Sequence, residues 1–128
     1  MSVILVGDTK DITKPGSFVH LKIDDCYLRR PISVCDVKKN ELTLIYKVIG
    51  KGTDKLTTMK NKISVLTNLG NGYDLKATGK VNLLVGGGVG IPPLYFLAKT
   101  LLKMKKQVIV VLGFNNKSEI FYLNEFKK

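Results

Sequence analysis

The sequence has 128 residues, about one average domain, which excludes a large multidomain enzyme and leaves no room for two full-sized cores. With 45% hydrophobic and 24% charged residues and a mean hydropathy of +0.09, the chain has enough apolar surface to offset its ordering entropy, which excludes intrinsic disorder. The net charge of +11 attracts nucleic acid, anionic lipid or acidic partners without choosing among them. That charge is almost all lysine, and only Arg29 and Arg30 offer the bidentate guanidinium that base readout favours.

Val3 to Val6 is a short apolar run, predicted as a strand and turned by Gly7-Asp8-Thr9. After Pro15-Gly16, residues Ser17 to Ile23 alternate, with Val19, Leu21 and Ile23 on one face and Phe18, His20 and Lys22 on the other. His20 therefore reads as an outward strand side chain rather than a catalyst. Two further strands, Arg30 to Val37 and Leu42 to Ile49, flank the polar turn Lys38-Lys39-Asn40-Glu41 and form a predicted hairpin. Gly50-Lys51-Gly52-Thr53 ends the second of them, and Thr53 is the expected N-cap of a short helix through Met59. A strand from Ile63 to Leu66 and the turn Gly70-Asn71-Gly72 complete a region of short strands, as in a small antiparallel barrel or sandwich.

Beyond Lys80 the hydrophobic period changes. Val81 to Val85 is a continuous apolar run, expected to be a strand buried on both faces. Leu94, Leu97, Ala98, Leu101 and Leu102 recur at helical spacing, and Gln107 to Leu112 is a second buried-type strand. Strand, helix and strand make one βαβ unit with a right-handed crossover. The polar stretch Tyr73 to Lys80 is the best boundary, so the expected organisation is a β-lobe over 1–74 and a partial α/β lobe over 80–128.

The longest uncharged stretch, the 18 residues from Val81 to Ala98, reaches the lower bound for a membrane span. Four glycines and Pro92-Pro93 inside it would break a lone helix at mid-depth, so no span is expected. Cys26 and Cys35 lie nine positions apart with one histidine in the chain, a set too poor for zinc. No secretory leader pattern opens the sequence, and a cytoplasmic location with free thiols is expected.

Three polar clusters carry candidate chemistry. Gly86-Gly87-Gly88-Val89-Gly90 and Pro92 lie between the buried strand and the amphipathic helix, where bare backbone approaches a phosphate closely and unpaired amides favour an anion. Ile91 holds the third glycine position of the usual dinucleotide fingerprint and no acidic residue follows about twenty residues on. A phosphate loop and a purely structural turn both fit. Gly50-Lys51-Gly52-Thr53 combines glycines, a cation and a helix start, against the plainer reading of a capped turn. In Arg29-Arg30-Pro31-Ile32-Ser33, Arg30 can clamp a phosphate, while Pro31 marks a strand edge or bulge.

In order along the chain stand Arg30-Pro31-Ile32-Ser33, Ile45-Tyr46-Lys47, Gly50-Lys51-Gly52-Thr53, Leu69-Gly70-Asn71-Gly72-Tyr73, the loop Gly86 to Tyr95, and Leu112-Gly113-Phe114. This series resembles the ferredoxin-reductase family of flavoproteins, in the branch of dihydroorotate dehydrogenase electron-transfer subunits, over nearly the whole chain. The resemblance implies an FAD-binding antiparallel β-barrel followed by a partial nucleotide-binding α/β domain. It implies that Arg30, Pro31, Ile32, Ser33, Ile45, Tyr46, Lys47, Gly52 and Thr53 hold FAD, and that Gly86, Gly87, Gly88, Gly90, Pro92 and Gly113 face NAD. It names no catalytic acid, base or nucleophile, since the flavin carries the redox chemistry. It also implies a catalytic dihydroorotate dehydrogenase subunit as partner, with a role in pyrimidine biosynthesis and neither nucleic acid nor membrane as ligand.

The sequence departs from the family at Lys47, where arginine is usual, and at Thr67-Asn68, where Gly-Pro is usual. Members of the family are longer, so a shortened chain is expected: it lacks the first barrel strand, the rest of the nucleotide domain and the cysteines that ligate an iron-sulfur cluster. Its open sheet edges are expected to promote self-association. Two other readings compete. One is a basic barrel binding single-stranded nucleic acid, for which exposed stacking aromatics are wanting. The other is a non-catalytic docking module.

Overall fold

The computed structural model describes residues 2–128. The first half carries β1 (Ser2–Val6), β2 (Phe18–Leu21), β3 (Arg30–Lys38), β4 (Glu41–Ile45), helix α1 (Lys51–Thr58) and β5 (Val65–Leu69). The second half carries β6 (Val81–Gly87), α2 (Ile91–Lys103), β7 (Gln107–Gly113) and a C-terminal turn of helix, α3 (Leu123–Lys127).

The five strands of the first half form one antiparallel sheet in the order β1-β4-β3-β2-β5. The expected β3–β4 hairpin is present, closed by Asn40 in the left-handed region (φ 62°) that asparagine tolerates. β4 is shorter than its sequence suggested: the ladder ends at Ile45, and residues 46–49 leave it to reach α1. β5 is shifted to Val65–Leu69, and the alternating run at 17–23 is a strand only over Phe18–Leu21. Strand β3 is the spine. Arg30–Ser33 pairs with β2, whereas Val34–Lys38 pairs with β4. Pro31 thus sits in the half of β3 that has one partner strand, where a missing N–H does least harm.

Between Val34 and Asp36 the β3–β4 register slips by one residue, and Val34, Cys35 and Asp36 are all buried in succession. A regular strand would send every second side chain outward; a bulge re-aims one of them inward. Val19, Leu21, Ile23, Val34 and Leu44 are almost fully buried and form the first core with Ile12, Ile32, Leu42, Tyr46 and Leu56. Each such aliphatic side chain contributes about 1.5–3 kcal/mol on burial.

β6 and β7 pair in parallel, as the βαβ reading requires. Pro92 and Pro93 fall in the first turn of α2, where no N–H is needed. Leu94, Leu97, Ala98 and Leu101 pack with Leu84 in a second core, supported by Val108 and Val110. The expected burial of this sheet on both faces is not observed. Val81, Leu83, Val85, Ile109 and Val111 are half exposed or more, because α2 covers only the opposite face. The polar stretch before Lys80 is not a loose linker either: Asp74 caps a single 3-10 turn at Leu75–Ala77, and Leu75 packs on the second core.

The two cores meet at α2. Phe96 of that helix packs against the first core while its leucines serve the second. The ammonium of Lys99 lies 2.7 Å from the buried Asp36 carboxylate of β3.

A groove between the lobes and a cationic cradle beside it

A groove of about 810 Å³ opens between the two halves. Ile45, Tyr46, Lys47 and Val48, leaving β4, form one wall. Gly87, Gly88, Val89 and Pro92 at the start of α2, with Gly113 and Phe114 at the end of β7, form the other. Both strand ends are C-terminal ends of parallel strands, where open α/β sheets take their ligands. The floor is completed by the segment from Ser118 to Tyr122. Lys47 is the cation of this groove, and its Nζ lies 3.4 Å from Glu119 across it.

The expected site residues thus separate into groups. Ile45, Tyr46, Lys47, Gly87, Gly88, Pro92 and Gly113 share the groove. Arg30, Gly52 and Thr53 come together outside it, at the first turn of α1. Pro31 lines a shallow depression with His20, Tyr27, Leu28 and Arg29. Ile32 is a member of the first core, and Ser33 is half-buried beside Phe18 in the β2 pairing. Gly86 and Gly90 do not line the groove. A Cβ on Gly86 would lie 2.5 Å from Leu94 Cδ1, so that glycine serves helix–strand packing. Gly88 has φ +53° and open space around it, which makes it the loop position where the backbone itself calls for glycine.

The cradle at α1 has a definite build. The N-cap is Gly50, not Thr53 as expected. Thr53 stands at the third helical position, where its Oγ1 accepts from Ile49 N at 2.9 Å and Gly50 N at 3.2 Å, a capping-box arrangement with threonine in the reaching role. The first intrahelical bond runs from Asp54 N to Gly50 O. Helix geometry leaves the N–H groups of Lys51, Gly52 and Thr53 without an intrahelical acceptor. Arg30 reaches over the same turn: its Nη1 donates to Leu28 O at 2.6 Å, and a Cβ on Gly52 would sit 2.5 Å from its Nε. A guanidinium, a bare glycine and helix-start amides on one spot offer the kind of donors that suit an anion. Arg29 is spent elsewhere, on His20 O and on Ser64 O and Oγ.

Behind the groove lies a polar cluster that no motif announced. Tyr122 neighbours the buried Cys35 and holds a left-handed backbone at φ 62°. Burial pushes the Cys35 thiol up to about 12, and burial likewise raises Tyr122, Tyr95 and Tyr46 above the ordinary phenol range. The Tyr95 ring meets Tyr122 edge-on at 4.9 Å and Phe126 at 5.3 Å, and Lys99 Nζ lies 5.6 Å from its centroid. The groove residues beyond Phe114 were also unannounced; an aromatic pair, Phe121-Tyr122, after a polar turn was their one visible signal.

The donor set, a guanidinium packed on a glycine beside helix-start amides, has the chemistry that suits a phosphate-bearing nucleotide such as FAD. It does not fit an iron-sulfur cluster. Among the described residues no group of three or more His, Cys, Asp or Glu side chains is placed to hold a metal, and Cys35 is buried in β3. Among the described residues no helix is long and apolar enough to cross a membrane.

No family model matches the chain. Curated relatives do. The electron transfer subunit of dihydroorotate dehydrogenase B (NAD+) from Fusobacterium nucleatum is 45% identical over an alignment of 128 positions, covering 93% of this chain and 49% of the relative. The protein of the same description from Geobacillus sp. (strain WCH70) is 48% identical, covering 91% of this chain and 49% of the relative. The chain spans about half the length of the curated relatives it matches. Among solved structures, an NADH-dependent reduced ferredoxin-NADP oxidoreductase, described in connection with flavin-based electron bifurcation, superposes with a TM-score of 0.80 at 31% identity, over 98% of this chain and 51% of that one. Phthalate dioxygenase reductase superposes with a TM-score of 0.75 at 18% identity, over 98% of this chain and 40% of that one, a likeness of fold alone. The chain is thus a homologue of dihydroorotate dehydrogenase electron transfer subunits over the half of their length that it spans, and its fold is ferredoxin-reductase-like.

Proposed function

We propose that this chain is the flavin-binding part of an electron transfer subunit of an NAD-linked dihydroorotate dehydrogenase. One observation carries the reading: the Arg30 guanidinium lies over Gly52 at the first turn of α1, a few residues beyond the Ile45–Val48 wall of the interlobe groove. Cradle and groove follow one another along the chain, as the pyrophosphate and the remainder of one dinucleotide would.

In this reading 1–74 is the FAD lobe and 80–128 a partial NAD lobe. Arg30 and the amides of Gly52 and Thr53 hold the FAD pyrophosphate, with Thr53 Oγ1 fixing the turn that presents them. Lys47 supplies a point charge, Tyr46 packs under the ligand, and Pro31 and Ser33 border the flavin. Gly87, Gly88, Pro92 and Gly113 let NAD approach from the facing wall. Bound flavin supplies the exchange between hydride transfer and single-electron transfer. The residues of this chain bind, orient and shield; none is assigned a proton to carry. The partner is the catalytic dihydroorotate-oxidising subunit, in a cytoplasmic setting within pyrimidine biosynthesis. The open strands β1 and β5 at the ends of the sheet favour self-association of the isolated chain.

The test is the visible absorption spectrum of the purified chain, before and after excess FAD and desalting. Flavin bands that stay with the protein, and are lost on Arg30→Ala with Thr53→Ala, support the reading. A folded chain that retains no flavin refutes it.

A further inference from the structure

We propose that Asp36 and Lys99 are positioning residues for the interlobe groove. Their ion pair locks α2, and with it the Gly87–Pro92 wall, against the lobe that carries Ile45–Val48. The proposal rests on the groove being the nucleotide site.

The Asp36 carboxylate is about 5% exposed at the bulge of β3. Its Oδ1 accepts from Lys99 Nζ at 2.7 Å and from its neighbour's amide, Val37 N, at 2.9 Å. Burying a carboxylate costs several kcal/mol, and a buried pair seldom adds net stability over apolar residues of similar size. What it does impose is one geometry, since a displaced partner leaves a buried charge uncompensated. Here the two partners belong to different lobes. The bulge that turns Asp36 inward also buries Cys35, which neighbours Tyr122. Two consecutive β3 residues thereby grip α2 and a groove-lining tyrosine.

The geometry makes α2 a lever. Pro92 lies seven residues before Lys99, about 10 Å along the helix axis. Phe96, between them, packs on the first core and acts as the pivot. Releasing the Lys99 end lets the helix rock about Phe96 and moves the Pro92 end, which is the groove wall. Lys99 is further held over the Tyr95 ring, which abuts Tyr122, so a second groove element moves with it.

The experiment compares the full chain with Asp36→Asn, Lys99→Gln and Lys99→Arg. The readouts are amide hydrogen exchange by NMR without ligand and FAD affinity by quenching of flavin fluorescence. The expected result for Asp36→Asn and Lys99→Gln is exchange across Phe96–Leu101 of α2 about tenfold faster, with Val19 and Leu44 of the first core unchanged. FAD affinity should fall about tenfold in the same variants, and Lys99→Arg should restore both. Lys99→Gln, at a partly exposed position, serves if Asp36→Asn fails to fold. Unchanged α2 exchange, or a uniform rise over the whole chain, overturns the proposal, the second outcome marking a merely structural pair. If the unaltered chain binds no FAD, the nucleotide reading of the groove falls, and the exchange result alone decides the latch.

Discussion

The guanidinium of Arg30 occupies the space that a side chain at Gly52 would need: a Cβ there would stand 2.5 Å from Nε and 3.1 Å from Cζ. The obstacle is the far end of a flexible side chain, so Gly52→Ala displaces Arg30 rather than the backbone. Alanine also suits a helix better than glycine, by about 0.5–1 kcal/mol. Gly52→Ala is therefore expected to leave stability unchanged or raise it, while FAD affinity falls about tenfold, the scale of one charge-assisted contact. Thermal unfolding and fluorescence titration on the same sample check the two opposite movements.

Two glycines ahead of α2, Gly86 at the end of β6 and Gly90 at the helix N-cap, should respond oppositely. A Cβ on Gly86 meets Leu94 Cδ1 at 2.5 Å, and Leu94 is held in the second core. Gly86→Ala is expected to cost about 1–3 kcal/mol through overpacking. Gly90 has φ −79° and open space around it, so Gly90→Ala should be neutral or stabilising by up to about 1 kcal/mol. Urea unfolding of both variants measures the difference, and equal losses would contradict the assignment of Gly86 to packing.

Thr53 Oγ1 satisfies two amides that precede α1. Thr53→Ala should destabilise the chain by about 1 kcal/mol and Thr53→Ser by much less, since serine keeps the acceptor. Circular dichroism melts of the pair would show this, with flavin retention falling in the same order.

The two thiols differ in kind. Cys35 is fully buried and its titration is pushed up to about 12 from an ordinary 9.0, whereas Cys26 is half-buried in the β2–β3 loop. A disulfide-exchange reagent at pH 8 should count one fast thiol in the folded chain and two after unfolding. Because the folded state keeps the Cys35 proton that the unfolded state loses, this contribution is complete below pH 9 and disappears as pH rises toward 12. Stability should fall there with a slope of up to about 1.4 kcal/mol per pH unit. The early part of that fall, before the tyrosines titrate, should be missing in Cys35→Ala.

The alternation at 17–23 and the helical leucines after Pro93 made both cores legible in the sequence, because burial there follows a strict period. The order of glycine and arginine motifs likewise pointed to the groove and the cradle. What periodicity could not show was the β3 bulge: a one-residue slip at Val34–Asp36 has no local signature, and with it the pairing of Asp36 to a lysine 63 residues away stayed hidden. Nor could a run of aliphatic residues at 81–85 say that a helix covers one face of that strand alone. The role of Thr53 was displaced by three residues, nearly one helical turn, for a simpler reason, since glycine at 50 already adopts the extended N-cap backbone.

Strand β3 bonds to β2 through its first half and to β4 through its second, and from the bulge in that second half it offers Asp36 to the other lobe. While the Asp36–Lys99 pair holds, neither core can melt without stripping the other of neighbours. Despite two separate cores, the molecule should lose its structure in a single step, with one midpoint whether the loss is followed in the barrel strands or in α2.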